Sequence, residues 1–290
     1  MNTIWSKYIQ GAKTLYYSRK LRFDDKFANR YKALFDLDEQ NRLNILEIGC
    51  GSGAFASALA RWYHNAKIIA IDRDSEFIRF AKEHENGVSF IEADLTALPF
   101  ADESFDVVIS NTVCEHIEPS LFYNEQLRVL KPNGVCLVLS SRKGITVAPD
   151  CYAQSDYEKA FWKKAEQYDN SIEKYNIGKY YLNEAKLPFV MEQYGFKDIK
   201  TGYVLVDLTP DNPKTSPEFA RAIINADRYS AIESIESVEQ TMTEYFSNQE
   251  ISEMKRIVNN KYDVRIKQYD DNEKQWDTSV SIVMIMRGIK

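Results

Sequence analysis

The densest chemistry in the chain lies at Glu47-Ile48-Gly49-Cys50-Gly51-Ser52-Gly53, where three glycines alternate with small residues behind an apolar run. Glycines let the backbone turn tightly and let a ligand approach it, and the helical pattern that follows offers its N-terminus. Such a turn suits a nicotinamide-binding Rossmann domain, or merely a tight passage from strand to helix. Asp72 follows about 20 residues later, the spacing at which a carboxylate accepts hydrogen bonds from ribose hydroxyls. Its alternative use is to cap the helix that opens at Ser75, although Asp74 or Ser75 sits better for that. Asp94 could accept from an adenine amino group while Leu95 packs on the ring, or it could be a turn residue only. His116 follows a fourth apolar run, and an imidazole that titrates near neutrality suits a general base. Glu115 is the second candidate for that role. Tyr157, Phe161, Trp162 and Tyr168 belong to an aromatic stretch at 152–181. They could form a wall for a substrate or a cationic centre, or simply core.

These residues need elements to hold them. Five apolar runs recur between 45 and 140: Ile45 to Ile48, Ile68 to Ile71, Val88 to Ile91, Phe105 to Ile109 and Val135 to Leu139. Most are nearly continuous rather than alternating, as strands buried on both faces are. Helical patterns lie between them at 54–63, 75–83 and 120–130, the last ending at a stop-and-turn signal, Lys131-Pro132-Asn133-Gly134. This alternation predicts a parallel sheet with helices on both faces. Ahead of it, Ile4, Tyr8, Ala12 and Leu15 share one helical face, which predicts an added N-terminal helix. Phe27 to Leu37 suggests another. Helices are expected at 155–168 and 183–194, and strands at 199–208 and 280–286. The roughly 70 residues between those strands are too long for a hairpin loop and have helical patterning, which reads as an insertion and a possible cap.

The totals narrow the function. A net charge of -6 disfavours nucleic acid, whose binders present a basic stripe. The nearest stripe here, from Lys13 to Lys26, is interrupted by Asp24 and Asp25. No apolar run approaches a membrane span, and the start has no signal-peptide pattern, so a cytoplasmic protein with a small-molecule substrate is expected. Four cysteines without a C-x-x-C pair and three histidines give no zinc spacing, and no metal is expected.

Taken in order, ILEIGCGSG at 45–53, AIDRD at 70–74, EADLTALPF at 92–100, SFDVVISNTVCEHI at 104–117 and LKPNGVCLVLS at 130–140 resemble the class I S-adenosylmethionine-dependent methyltransferases. Within that class the series is similar to the broad group that includes the ubiquinone and menaquinone biosynthesis methyltransferases. The resemblance covers about a third of the chain. It implies a Rossmann-like α/β fold with a seven-stranded sheet whose last strand is antiparallel. It also implies S-adenosyl-L-methionine as cofactor and methyl transfer to a small molecule as the activity. On this pattern Gly49, Cys50, Gly51 and Gly53 line the methionine and ribose part of the cofactor, and Asp72 holds the ribose hydroxyls. Arg73, Asp94 and Leu95 flank the adenine, Asn111 meets the methionyl end, and Glu47 orients the glycine loop. Similar enzymes cover the cofactor with a preceding helix, where Tyr16, Tyr17 and Arg22 are the candidates here, because a guanidinium suits a carboxylate.

Three parts are expected: an N-terminal helical extension at 1–40, a methyltransferase domain at 41–209 and 277–290, and the helical insertion at 210–276. Two absences bear on the acceptor. Ser110-Asn111-Thr112-Val113 stands where amino-methylating enzymes carry Asn/Asp-Pro-Pro-Tyr, and no Pro-Cys pair is present to attack a pyrimidine. The alternatives are a non-catalytic S-adenosylmethionine-binding protein and a nicotinamide-dependent oxidoreductase. Against the latter, position 54 is Ala where a regular G-x-G-x-x-G needs glycine.

Overall fold

The computed structural model describes residues 4–168 and 177–290. Helices α1 (Ile4–Tyr8), α2 (Ala12–Arg22) and α3 (Ala28–Phe35) precede strand β1 (Asn44–Ile48). Then α4 (Ala54–Trp62), β2 (Lys67–Asp72), α5 (Ser75–His84), β3 (Ser89–Glu92), β4 (Phe105–Asn111), α6 (Pro119–Val129) and β5 (Leu130–Val147) follow. The chain continues through α7 (Asp156–Glu166), α8 (Lys186–Gln193), β6 (Lys197–Asp207), α9 (Pro217–Thr241), α10 (Asn248–Asp270) and β7 (Thr278–Ile289).

The seven strands form one sheet in the order β3-β2-β1-β4-β5-β7-β6, with the last strand antiparallel to the rest. Leu46 in β1 sits in register with Ile69 of β2 and Val108 of β4, all in parallel. Ile45, Leu46 and Ile48 are buried, which is why this run does not alternate: both faces of the strand are covered. The strand order reverses between β1 and β4. In open α/β sheets that reversal leaves a crevice at the carboxyl ends of the strands, where ligands bind. The glycine turn follows β1 and Asn111 ends β4 at this point.

The chain divides into two compact units. The first comprises residues 1–143, 176–206 and 281–290, and holds the crevice. Its core runs through Leu46, Ile48, Ile71, Val108, Phe122, Cys136, Val138 and Met284. The second comprises 144–175 and 207–280. There α7, α9 and α10 bury Phe161, Ile224, Ile235, Val238, Phe246, Met254 and Val258 together. Ser155 with Glu158 and Ser247 with Glu250 form capping boxes that start α7 and α10. Arg265 is fully buried and pairs with Asp211 at 2.9 Å and Asp277 at 2.5 Å.

Several expectations change. The single N-terminal helix is two, broken over residues 9–11, so Ile4 and Leu15 do not share one helical face. Of the two cap candidates, Asp74 rather than Ser75 caps α5, accepting from the Glu76 N–H. The stop-and-turn signal at 131–134 lies inside β5. Asn133 there takes a left-handed φ of 62°, and the pairing with β4 shifts register between Phe105 and Val107. The aromatic residues of 155–168 are not a free wall. Phe161 is core, Trp162 packs against it, and Tyr168 stacks on Tyr245 at 3.7 Å. Residues 144–175 cluster with 207–280, not with the sheet as the sequence boundaries had them. The part of the aromatic stretch at 169–176 lies outside the described residues.

Candidate cofactor site

A cavity of about 330 Å³ opens at the crevice, within the range of small-molecule sites. The turn after β1 forms its floor, and the local geometry explains the glycines. Gly49 has φ 66° and Gly51 has φ 52°, conformations that L side chains rarely adopt. A Cβ on Gly49 would meet Val113 at 2.5 Å, and one on Gly51 would meet Leu15 at 2.6 Å. Asp72, at the end of β2, holds the turn: its carboxylate accepts from the Gly51 N–H and from the Asp74 N–H, both at 2.9 Å. One lone pair on each oxygen remains for a ligand.

Glu47 is buried beneath the turn, with its carboxyl accepting from the Ala56 backbone and Oε2 unpartnered. Burial, with Asp72 as a neighbouring negative charge, pushes the Glu47 carboxyl up to about 8. Burial also raises Asp72 to about 6, against the pull of its two backbone donors. Two desolvated carboxyls in one cavity make it selective for a cationic, hydrogen-bond-donating ligand. Asn111 adds a further buried acceptor, its Oδ1 without a partner.

The N-terminal extension closes the other side. Ser6 binds Asp74 through both its N–H (2.9 Å) and its hydroxyl (2.8 Å), Ser52 donates to the Ala12 carbonyl (2.7 Å), and Tyr16 donates to Glu85 (2.7 Å). These ties place Trp5, Gln10, Leu15, Tyr16 and Arg19 on the cavity. Arg19 donates to Thr112 Oγ1 at 3.2 Å. Burial and the neighbouring Arg22 lower its guanidinium to about 9, with Glu115 opposing them.

Among the residues expected from the sequence, Glu47, Gly49, Cys50, Gly51, Asp72, Arg73, Asp94, Leu95, Asn111 and His116 all line this one cavity. Asp94 lines the cavity and also caps the turn at Leu95–Ala97 by accepting from the Thr96 N–H, as its turn reading has it. Three do not line it. Gly53 turns its missing side chain toward Ala81 and Phe90, 2.8 Å from a hypothetical Cβ, so it serves helix-to-strand packing. Of the three helix candidates only Tyr16 lines the cavity, and Arg19 stands there in place of Tyr17 and Arg22, because Leu15 seated on Gly51 fixes the roll of α2. Arg22 reaches Ser141 Oγ instead, at 2.6 Å. Trp5, Gln10 and Arg19 went unrecognised. Only the i, i+4 spacing of Leu15 and Arg19 hinted that they share a face.

His116 lines the cavity, but its Nδ1 accepts from the Gly178 N–H at 2.9 Å, and its ring packs edge-on to Trp5 at 4.8 Å. Burial lowers its pKa, more than Glu115 raises it. The described residues contain no cluster able to hold a metal ion.

The sheet order and the glycine turn under Asp72 are similar to those of class I methyltransferase domains, a class whose cofactor is S-adenosylmethionine. Residues 46–138 match the family model of a methyltransferase domain. A fatty-acid O-methyltransferase of Mycolicibacterium smegmatis is 38% identical over 102 residues, covering 34% of this chain and 37% of that protein. Phthiotriol/phenolphthiotriol dimycocerosates methyltransferase 1 of Mycobacterium ulcerans is 37% identical over 108 residues, covering 36% and 40%. The matches thus span only about two fifths of these relatives' length. In fold, the chain is similar to phosphoethanolamine N-methyltransferase 2 of Haemonchus contortus, solved with S-adenosyl-L-methionine. The TM-score is 0.52 at 18% identity, covering 99% of this chain and 59% of that one.

The residues present fit the cofactor. Arg19 would offer a guanidinium to a methionine carboxylate, the unpartnered Glu47 Oε2 and Asn111 Oδ1 would offer acceptors to its ammonium, and Asp72 would offer acceptors to a ribose diol.

Proposed function

We propose that this chain is an S-adenosylmethionine-dependent methyltransferase acting on a small molecule. The observation that carries the reading is the single cavity holding a cation at Arg19, two orphaned buried acceptors at Glu47 and Asn111, and the Asp72 carboxylate. That set complements an amino acid joined to a nucleoside.

When bound, the cofactor supplies a methyl group on a positively charged sulfur, so its transfer is an in-line displacement that needs alignment more than acid or base. Asp72 would hold the ribose, and a bound cation would draw the raised Glu47 carboxyl toward its ionised form. Arg19 and Asn111 would fix the methionine end, and Asp94 and Leu95 would border the adenine. Trp5 and Leu15 line that cavity and would shield the bound cofactor from water. Held as it is, His116 would act as a hydrogen-bond donor through Nε2 and not as a base.

The acidic balance of the chain supports a small acceptor over nucleic acid. The fatty-acid O-methyltransferase relative supports a lipid-like one. No helix of the described residues is long and apolar enough to cross a membrane. All four cysteines are free thiols, which supports the reducing cytoplasm as its compartment.

The test is turnover: purified protein, S-adenosylmethionine and a panel of small acids, amines, phenols and thiols, with S-adenosylhomocysteine measured. Acceptor-dependent product supports the reading. Tight cofactor binding with no product from any acceptor favours a non-catalytic binding protein.

A further inference from the structure

Helix α2 carries two guanidiniums one turn apart, Arg19 and Arg22, close enough that Arg22 disfavours the charge on Arg19. Their side-chain partners are hydroxyls: Thr112 Oγ1 at 3.2 Å for Arg19 and Ser141 Oγ at 2.6 Å for Arg22. Among the described residues, no carboxylate lies within salt-bridge distance of either. The carboxylate that bears on Arg19 from further away is Glu115. That group already takes the Cys114 thiol at 3.2 Å and the Ser140 hydroxyl at 3.5 Å.

Both side chains are half-buried, and among the described residues neither has a counter-ion, an arrangement that a bound anion would stabilise. Resting on the methyltransferase reading above, the cofactor brings one carboxylate, which a single guanidinium fork binds bidentately. Arg19 lines the cofactor cavity and Arg22 does not. Among the described residues, one cation therefore remains without a counter-ion when the cofactor site is full.

The place of that cation matters. Ser141 lies in β5 just beyond Leu139, the last residue in register with β4, whose own end is Asn111. Arg22 is thus held at the carboxyl ends of the central strands, the side of an open α/β sheet where ligands gather. A guanidinium fork suits the planar, paired oxygens of a carboxylate or phosphate, and a lysine does not reproduce it.

We propose that Arg22 anchors a second anion site, one helical turn from the cofactor cavity, and that the methyl acceptor is a small molecule carrying an oxyanion group. This assigns specificity to a residue that makes no cofactor contact. It also explains why α2 carries two arginines where the cofactor needs one.

The experiment titrates the protein, already loaded with S-adenosylhomocysteine, by calorimetry with octanoate, octyl phosphate and the neutral octanamide. At least one anion is expected to bind tenfold or more tightly than octanamide, and whichever anion wins names the head group. Arg22→Gln should abolish that preference while its affinity for S-adenosylhomocysteine stays within threefold of the wild type. Arg22→Lys, which keeps the charge, should retain the preference at reduced affinity and guards against a Gln variant that fails to fold. The proposal is overturned if neither anion is preferred, if the preference survives in Arg22→Gln, or if Arg22→Gln weakens S-adenosylhomocysteine tenfold. Failure of the wild type to bind S-adenosylhomocysteine at all counts instead against the cofactor reading.

Discussion

The backbone N–H of Gly178 donates to Nδ1 of His116 at 2.9 Å, and this one bond decides what the imidazole can do. A ring nitrogen that accepts carries no proton, so the neutral ring holds its hydrogen on Nε2. Burial lowers the pKa further and favours that neutral form. The histidine that the sequence offers as a base is thus arranged as a donor.

Glutamine places an N–H close to where Nε2 of histidine stands. His116→Gln is therefore expected to keep kcat/KM within about threefold once an acceptor has been found by the turnover screen. A general base would lose on the order of 10²- to 10⁴-fold on the same change, with a matching change in the pH profile.

Glycine positions with similar backbone angles should respond differently. Gly51→Ala forces a side chain against Leu15 on the cavity wall, so both cofactor affinity and Tm should fall. Gly53→Ala strains φ 84° and crowds Ala81 and Phe90 outside the cavity. It should lower stability by about 1–3 kcal/mol while the folded protein binds S-adenosylhomocysteine within threefold of wild type. Thermal melts and calorimetry on both variants check this.

The raised carboxyls make binding and stability depend on pH in opposite directions. Asp72 and Glu47 titrate at about 6 and about 8 in the folded protein, above their ordinary values of 3.8 and 4.5. Folded protein thus holds protons that the unfolded chain releases. Their contribution to stability is full below about pH 4 and is lost as pH rises through 6 and then 8. Affinity for S-adenosylhomocysteine should run the other way, since Asp72 accepts ribose hydroxyls best when ionised. It should fall several-fold from pH 7.5 to pH 5, with a midpoint near 6 that is absent in Asp72→Asn.

In the second unit, Arg265 sits between Asp211 and Asp277, and Asp211 also accepts from the Gln275 and Trp276 N–H groups. Arg265→Ala leaves two carboxylates without their counter-ion. It is expected to cost about 3–5 kcal/mol in urea unfolding.

The parallel half of the sheet was legible because burial on both faces leaves nearly continuous apolar runs, at 45–48, 68–71 and 105–109, with helical patterns between them. The floor of the cavity was legible for a related reason, since Gly49, Gly51 and Asp72 are required by backbone geometry that the sequence encodes locally. What stayed hidden depends on contacts between distant residues. The roll of α2, which puts Arg19 beside Tyr16 on the cavity and leaves Tyr17 and Arg22 off it, is set by Leu15 on Gly51 and Ser52 on Ala12. The break over residues 9–11 brings Trp5 to His116, and no helical periodicity reveals it. Gly53 belongs to the glycine motif, but its use is packing against Phe90, 37 positions later.

The central claim rests on Asp72 and the cavity it closes. Calorimetric titration of S-adenosylmethionine and S-adenosylhomocysteine into wild type and Asp72→Ala tests it most directly. The expected result is micromolar binding by the wild type that weakens tenfold or more, about 1.4 kcal/mol, in the variant. A folded wild type that binds neither compound, or an Asp72→Ala variant that binds them equally well, would contradict the account.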